Sequence, residues 1–247
     1  MFSIRLLQVS LILGFLLLRP SPAVAETSPS IDDVLKAIVR IEAKIPGDAR
    51  TAGSLGTERD GLGAVIDANG LILTVGYLIL EAESATVTRH DGKTFPARIV
   101  AYDHNTGFGL ARTLKPLGVK PLAFGDSAKL RKTSSVLVAG FGGAQAAMPA
   151  KVVARRDYAG YWEYLLENAV FTSPPYPGFG GVALIGSDGT LMGIGSLILP
   201  DAIEPGEYGP GNMFIPIDRL AAILPDLIAV GRSRTPNHPW IGFSNCS

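Results

Sequence analysis

The sequence predicts an all-β protein built as two halves of similar size. Short apolar segments recur at intervals of about ten residues, with turn residues between them. No long amphipathic helices alternate with these segments, so a parallel sheet with crossover helices is not expected. Of the 247 residues, 47% are hydrophobic, which suffices to bury a sizeable core. This spacing is typical of β-barrels or of a β-sandwich.

The first half, residues 31–114, begins with a helix and continues as strands. Ser30 is suited to cap a short helix over 31–38, because its hydroxyl can accept from a free N–H group of the first turn. Residues 44–60 are rich in Gly, Thr, Ser and charge, which predicts a surface loop. Asn69-Gly70 between two apolar segments is the strongest short hairpin signal. The predicted strands are 38–43, 61–66, 71–74, 84–88 and 94–100.

The second half, residues 120–217, continues the pattern of short strands. These are predicted at 135–140, 151–154, 164–168, 181–185, 190–199 and 213–217. Leu220, Leu224 and Leu227 recur with helical spacing, which predicts a terminal amphipathic helix over 218–230. Residues 231–247 are polar and contain proline, so we expect an extended tail.

The first 25 residues have the composition of an export signal. Arg5 gives a positive start, residues 6–18 are mostly apolar, and Ala23-Val24-Ala25 supplies the small residues read by signal peptidase. The apolar run is shorter than the roughly 20 residues that span a bilayer. We therefore expect cleavage before Glu26, a periplasmic location and no membrane span in the mature chain. An uncleaved anchor is the alternative.

Charge and composition exclude several classes of function. The 22 basic and 22 acidic residues cancel, which favours neither nucleic acid nor an anionic membrane surface as a partner. The single cysteine, Cys246, excludes a disulfide within the chain and a cysteine-rich metal site. The sequence contains no metal-ligand cluster and no phosphate-binding motif. We expect no metal and no cofactor.

The glycine-rich segment 177–184 is the most informative part of the sequence. Gly178, Gly180 and Gly181 allow positive φ and let several N–H groups point to one place. In order and spacing with other motifs, this segment resembles the HtrA/Deg family of exported trypsin-fold serine proteases. The other motifs are the hairpins 61–74 and 91–97, the segment 122–130, the strand 211–217 and the segment 239–242, which is similar to the lead into the family's PDZ domain.

The resemblance implies a fold and a catalytic site. The fold is two six-stranded antiparallel β-barrels of the trypsin/chymotrypsin type with a C-terminal helix, spanning residues 26–230. The family's catalytic histidine, aspartate and serine correspond to Tyr77, Gly107 and Gly180 in this sequence. The chain therefore departs from the family at all three triad positions.

None of these three residues can perform the chemistry of a catalytic triad. A serine hydroxyl becomes nucleophilic only beside a base, and the base needs an orienting acid. Glycine supplies none of these groups, and a tyrosine, with a reference pKa of about 10, is a poor base near neutral pH. The sequence therefore predicts an inactive homologue, a pseudoprotease with no catalytic residues.

A relocated catalytic site is the alternative prediction. Ser173 and Ser196 flank the glycine-rich loop, and His104 lies close to Gly107 in the sequence. The other two histidines, His90 and His238, fall in a turn and in the tail, and Cys246 has no partner histidine at a recognisable spacing. The alternative is thus a serine endopeptidase of the HtrA/Deg type that uses Ser173 or Ser196 with His104.

An inactive trypsin-fold protein still has a cleft that can bind a protein or peptide. An apolar cleft beside a strand edge accepts an extended peptide by β-augmentation. The predicted peptide-binding residues are Tyr176, Gly178, Phe179, Gly181, Met213 and Phe214. Tyr77, Tyr176 and Phe179 could instead fill the abandoned site. We expect a binding subunit or regulator in an exported complex, either as a homo-oligomer or with other proteins; a structural domain without peptide binding is a further possibility.

Overall fold

The chain folds into two closed β-barrels. The computed structural model describes residues 30–160 and 165–234, and within them each barrel has six antiparallel strands. The first barrel contains β1 (Ile38–Lys44), β2 (Glu58–Val65), β3 (Leu71–Val75), β4 (Ser84–Thr88), β5 (Thr94–Tyr102) and β6 (Phe108–Thr113). The second contains β7 (Ser135–Ala139), β8 (Ala147–Tyr158), β9 (Leu166–Ser173), β10 (Ala183–Ile185), β11 (Leu191–Leu199) and β12 (Gly211–Pro216). The predicted all-β class and the pair of six-stranded barrels are confirmed.

The two barrels share one topology. Neighbouring strands follow the order β1-β2-β3-β6-β5-β4 in the first barrel and β7-β8-β9-β12-β11-β10 in the second. In each barrel the third strand therefore pairs with the sixth, and the first closes against the fourth. Closure pairs every strand with a neighbour on each side over at least part of its length, and the inward side chains of both barrels form the hydrophobic core.

Four short helices complete the described chain. These are α1 (Ile31–Lys36), α2 (Ala52–Leu55), α3 (Asp218–Ala221) and α4 (Leu224–Val230). Ser30 caps α1 as predicted, since its hydroxyl accepts from the Asp33 N–H at 3.2 Å. The single helix predicted over 218–230 is instead two helices, and Pro225 lies at the start of the second, where its missing N–H costs no helical hydrogen bond.

Two strands differ from the prediction for identifiable reasons. The sequence does not predict β6, because Gly107 and Gly109 obscure its apolar pattern, although Phe108 and Leu110 are fully buried. β8 runs well beyond the predicted 151–154, because only two of its twelve residues are fully buried and the alternation is weak. Register shifts along its pairing with β9 interrupt the pattern further.

The C-terminal helices connect the two barrels. α3 follows β12 of the second barrel directly, and α4 packs on β5 of the first barrel. Leu220 and Leu227 are completely buried in the shared core. Asp218 receives a hydrogen bond from the Ser127 hydroxyl, so the segment 122–130 is tied to the start of α3.

No helix in residues 30–160 and 165–234 is long and apolar enough to cross a membrane. The predicted export signal, the residues from 235 onward with His238 and Cys246, and the segment 239–242 lie outside the described residues.

Candidate functional site

The three positions that the resemblance assigns to a triad meet at the junction of the barrels. Tyr77 lies in a 3₁₀ turn, Gly76–Leu78, that follows β3. The N–H of its neighbour Gly76 donates to the carbonyl of Gly107 at 2.6 Å. A Cβ atom built on Gly180 would lie 3.2 Å from the Tyr77 hydroxyl oxygen. Residues far apart in the sequence therefore form one site.

The hydroxyl of Tyr77 crosses from the first barrel to the second. It donates to the carbonyl of Ser196 in β11 at 2.8 Å. The pairing of β11 with β12 shifts register between Gly195 and Leu197, and such a bulge re-aims the backbone of the residue inside it. Tyr77 thus donates a hydrogen bond across the junction of the two barrels, close to Gly180.

A second inter-barrel contact fixes the glycine-rich loop. The Leu62 N–H in β2 donates to the Gly180 carbonyl at 2.9 Å. Gly181 has a φ of +80°, and a Cβ atom there would overlap the Leu62 carbonyl oxygen. That oxygen also accepts from the Thr74 hydroxyl at 2.6 Å. Glycine is therefore required at position 181 both by backbone conformation and by close approach.

A groove of ≈ 520 Å³ runs beside these contacts. Its walls come from both barrels and are mainly apolar, with Leu62, Tyr77, Phe179 and Leu197 among them. Asp60 is the one carboxylate among its described lining residues, and Arg40 donates to that carboxylate at 2.6 Å. The groove thus offers little unpaired charge to an occupant.

Two of the six predicted peptide-binding residues line the groove. Gly178 is exposed and Phe179 half-buried, and both line the groove. Gly181 lies behind it at the inter-barrel contact. Met213 and Phe214 are corrected: both are completely buried, because β12 runs between β9 and β11 with its side chains in the core, so neither side chain lies on the groove surface.

Tyr176 packs against the second barrel and is not among the residues that line the groove. Asn212 is fully buried and brackets it, accepting from the Tyr176 N–H at 2.6 Å and donating to its carbonyl at 2.9 Å. The Tyr176 hydroxyl donates to the Ala146 carbonyl at 3.1 Å, next to Gly140, where a Cβ would overlap it. Burial raises the pKa of Tyr176. These contacts all lie within the second barrel, and both predicted roles of Tyr176, peptide contact or filler of the abandoned site, stay predictions.

Arg59 is an organising residue that the sequence did not reveal. Its buried guanidinium donates to the carbonyls of Tyr77 at 2.7 Å and Leu80 at 3.0 Å, and to the Thr51 hydroxyl at 2.7 Å. Burial lowers its pKa. Arg59 thus fixes the turn that carries Tyr77. Arg59 falls in the segment 44–60, which the sequence predicts as a surface loop. The alternation of Glu58, Arg59 and Asp60 at the start of β2 is the signal that could have indicated its burial.

The residues of the predicted relocated site are engaged elsewhere. Ser196 is completely buried, and the Ser173 hydroxyl donates to the Pro210 carbonyl at 3.1 Å. His104 is exposed, and its ring lies edge-on to Tyr102 at 4.4 Å. Asp103, the buried acid near Gly107, accepts from the Thr106 N–H at 2.9 Å. No contact recorded among the described residues joins His104 to either serine.

The described part of the chain contains another depression away from the groove and no cluster of metal-binding residues. Within residues 30–160 and 165–234 no group of three or more His, Cys, Asp or Glu is placed to hold a metal ion. A depression of ≈ 550 Å³ lies elsewhere, on the second barrel around Arg155, and contains none of the three triad positions.

Comparison with known proteins identifies the family. The family model described as a trypsin-like peptidase domain matches residues 61–194. HhoA of Synechocystis sp. is 30% identical over 80% of this chain and 48% of its own length. The periplasmic pH-dependent serine endoprotease DegQ of Escherichia coli is 29% identical over 86% of this chain and 50% of its own length. The chain thus spans about half the length of these relatives.

Solved structures agree on the fold. The HtrA-type protease AlgW with tripeptide superposes with a TM-score of 0.63 at 19% identity, over 82% of this chain and 65% of that one. A variant of AlgW with tripeptide gives the same TM-score at 18% identity. The two barrels, the matched segment and these HtrA-type relatives lead to one conclusion: the chain belongs to the trypsin-like peptidase domain family, with the HtrA/Deg proteases as its relatives.

Proposed function

We propose that this chain is an exported pseudoprotease, a two-barrel protein without hydrolytic activity that binds an extended segment of a protein partner. One observation carries the proposal. Where a serine protease needs a histidine, an aspartate and a serine, the inter-barrel site holds Tyr77, Gly107 and Gly180, and none of these supplies a nucleophile or a base that works near neutral pH.

A free strand edge beside the groove supports peptide binding. β10 pairs with β11 only as far as Ile194, whereas β11 continues to Leu199. Beyond Gly195, β11 therefore pairs with β12 on one side and with no strand of the described chain on the other. Leu197 on this stretch lines the groove. An extended peptide can add to such an edge through its main chain and place side chains in the apolar groove.

Location and assembly belong to the same proposal. Residues 1–25 have the pattern of an export signal, and the Escherichia coli relative is named as periplasmic. We infer a periplasmic protein that works as a homo-oligomer or as a subunit of a larger exported complex.

Activity-based labelling tests the loss of catalysis. We expect the purified mature protein to release no fragments from casein and to remain unlabelled by a fluorophosphonate probe, while Escherichia coli DegQ serves as the positive control. Serine labelling that disappears in Ser173→Ala or Ser196→Ala would overturn the proposal in favour of the relocated endopeptidase.

Peptide capture tests the groove. Immobilised protein is screened against a library of unstructured, largely apolar peptides, and the ligands that it retains are titrated by fluorescence anisotropy. Leu197→Glu should abolish binding, because it places a carboxylate in the apolar groove. The matched control is Leu114→Glu, at an exposed leucine that does not line the groove. Equal loss in both variants, or none in either, would contradict binding at this groove.

A further inference from the structure

The depression of ≈ 550 Å³ on the second barrel, called here the Arg155 depression, has an excess of positive charge. It shares no lining residue with the groove. Three cations line it, Arg131, Lys132 and Arg155, against two carboxylates, Glu204 and Asp218. The depression therefore differs from the mainly apolar groove in the kind of ligand that it suits.

The guanidinium of Arg155 is held in place by backbone carbonyls. Its Nη1 atom donates to the Ser127 carbonyl at 2.5 Å, and its Nη2 atom to the Asn168 carbonyl at 3.2 Å. Its Nε atom is buried and has no hydrogen-bond partner among the described residues. Arg155 is thus a cation fixed by the main chain, and neutral acceptors do not cancel its charge.

The charges around Arg155 leave room for a further anion. Burial lowers the pKa of Arg155; Asp218 opposes this effect, and the neighbouring cation Arg131 adds to it. None of the ion pairs between described residues includes Arg131, Lys132 or Arg155. The Asp218 carboxylate accepts from the Ser127 hydroxyl. A bound monoanion would therefore compensate charge that the carboxylates of the described chain leave unpaired.

The rest of the lining indicates what carries the negative charge. Leu130, Val153 and Ile203 line the same depression, and Ile203 is 41% exposed. A phosphate dianion would bring a second charge toward two carboxylates and would leave this apolar wall in water. A single carboxylate attached to an apolar group matches both the charge and the wall, and arginine binds carboxylates well.

We propose that the Arg155 depression is a second binding site, which takes a carboxylate carried on an apolar group and uses Arg155 and Lys132 as its cations. This site is separate from the groove and goes beyond the proposed function. Two sources have the required chemistry: the C-terminal residue of a polypeptide and a free fatty acid.

A matched pair of small ligands tests the charge requirement. The purified mature protein is titrated, with NMR detection, with N-acetyl-leucine and with N-acetyl-leucinamide, which has the same apolar group and no charge. We expect the carboxylate to bind roughly tenfold more tightly than the amide, because hydrogen bonds to charged groups are the stronger ones. Octanoate distinguishes the sources: tighter binding of octanoate than of N-acetyl-leucine indicates a fatty acid, and the reverse indicates a polypeptide C-terminus.

Lys132→Glu locates the binding without disturbing the fold, because Lys132 is exposed. It should weaken the binding of N-acetyl-leucine roughly tenfold or more, since a cation becomes an anion inside the site. Lys115→Glu is the matched control, with the same change of net charge at an exposed lysine that does not line the depression. Melting curves establish that both variants are folded.

Leu197→Glu, which changes the groove, should leave the binding of N-acetyl-leucine intact, so a failure of this site and a failure of the proposed function are distinguishable. Absence of binding, equal binding of the amide, or tighter binding of inorganic phosphate would overturn the inference. Binding that Lys132→Glu and Lys115→Glu weaken equally would also overturn it.

Discussion

At the scale of single residues, neighbouring glycines in the loop 178–181 have different reasons to be glycine. A Cβ atom on Gly180 meets the Tyr77 hydroxyl at 3.2 Å, a tight contact that a small side-chain movement relieves. Gly181 combines a φ of +80° with a backbone carbonyl in the space that a Cβ would need. Only Gly181 must be glycine because of the backbone conformation and the backbone contact at its position.

Alanine at each of these positions should therefore have unequal effects. We expect Gly180→Ala to lower the free energy of unfolding by about 1 kcal/mol or less. Gly181→Ala should lower it by about 3 kcal/mol or more, since a non-glycine residue at positive φ and a displaced Leu62 carbonyl add up. Urea denaturation of both variants measures the difference. Equal losses would contradict the reading of Gly181 as an obligatory close approach.

At the scale of elements, the turn that carries Tyr77 depends on Arg59. Three of its hydrogen bonds go to the Tyr77 and Leu80 carbonyls and to Thr51, across segments that pack on β2. Because the guanidinium is buried, its removal leaves carbonyls without a donor, and each such loss is costly.

Arg59→Met should reduce the free energy of unfolding by about 3 kcal/mol, the cost of breaking a buried network of hydrogen bonds to a charged group. The control is Arg40→Met, which breaks an exposed ion pair with Asp60 and should cost about 1 kcal/mol or less. Thermal and urea unfolding compare the two. Similar losses in the two variants would contradict the role of Arg59 in holding the turn that carries Tyr77.

The segment before the glycine-rich loop depends on Asn212 in the same way. Its buried amide satisfies both the N–H and the carbonyl of Tyr176. Asn212→Ala should cost about 2 kcal/mol and speed proteolytic cleavage near 174–180, because two backbone groups lose their partner. Ser173→Ala removes one hydrogen bond from a half-buried serine and should cost about 1 kcal/mol or less. If limited proteolysis is unchanged in Asn212→Ala, the amide is not what holds this segment.

At the scale of the whole molecule, the chain returns from the second barrel to the first and packs against both. α4 follows the second barrel yet packs on β5 of the first, and Leu227 is completely buried there. Its neighbour Ile228 is 46% exposed on the same helix. Substituting Leu227 and Ile228 one at a time therefore separates the effect of packing α4 on β5 from the effect of helix propensity.

Leu227→Ala should lower the free energy of unfolding by about 3 kcal/mol, the usual cost of truncating a buried leucine. It should also raise amide exchange in α4 and β5 together. Ile228→Ala, on the exposed side, should change the free energy of unfolding by about 1 kcal/mol or less. Exchange that rises in α4 alone would contradict the bridging role of this helix.

The sequence predicts the fold well and the site only partly, and the difference has a physical origin. Strands such as 84–88 and the turn at Asn69-Gly70 depend on local alternation and local backbone chemistry, which a sequence displays directly. Arg59 and Asn212 act on partners 18 and 36 residues away, and only folding brings those partners near. The sequence predicts Met213 and Phe214 as groove residues, because an apolar strand does not reveal from its sequence that both of its faces are enclosed.

The hydrogen bond from Tyr77 to Ser196 also bears on the history of such a chain. On the proposed function, replacing Tyr77 by histidine removes this hydrogen bond. An aspartate at position 107 must adopt a backbone conformation with a φ of +79°. Serine at 180 alone meets the tyrosine that is still in place. Each reversal by itself lowers stability and restores no rate, because a triad needs all of its members. Selection that acts on one substitution at a time therefore opposes the return of catalysis, and a fold in this state diverges as a binding protein.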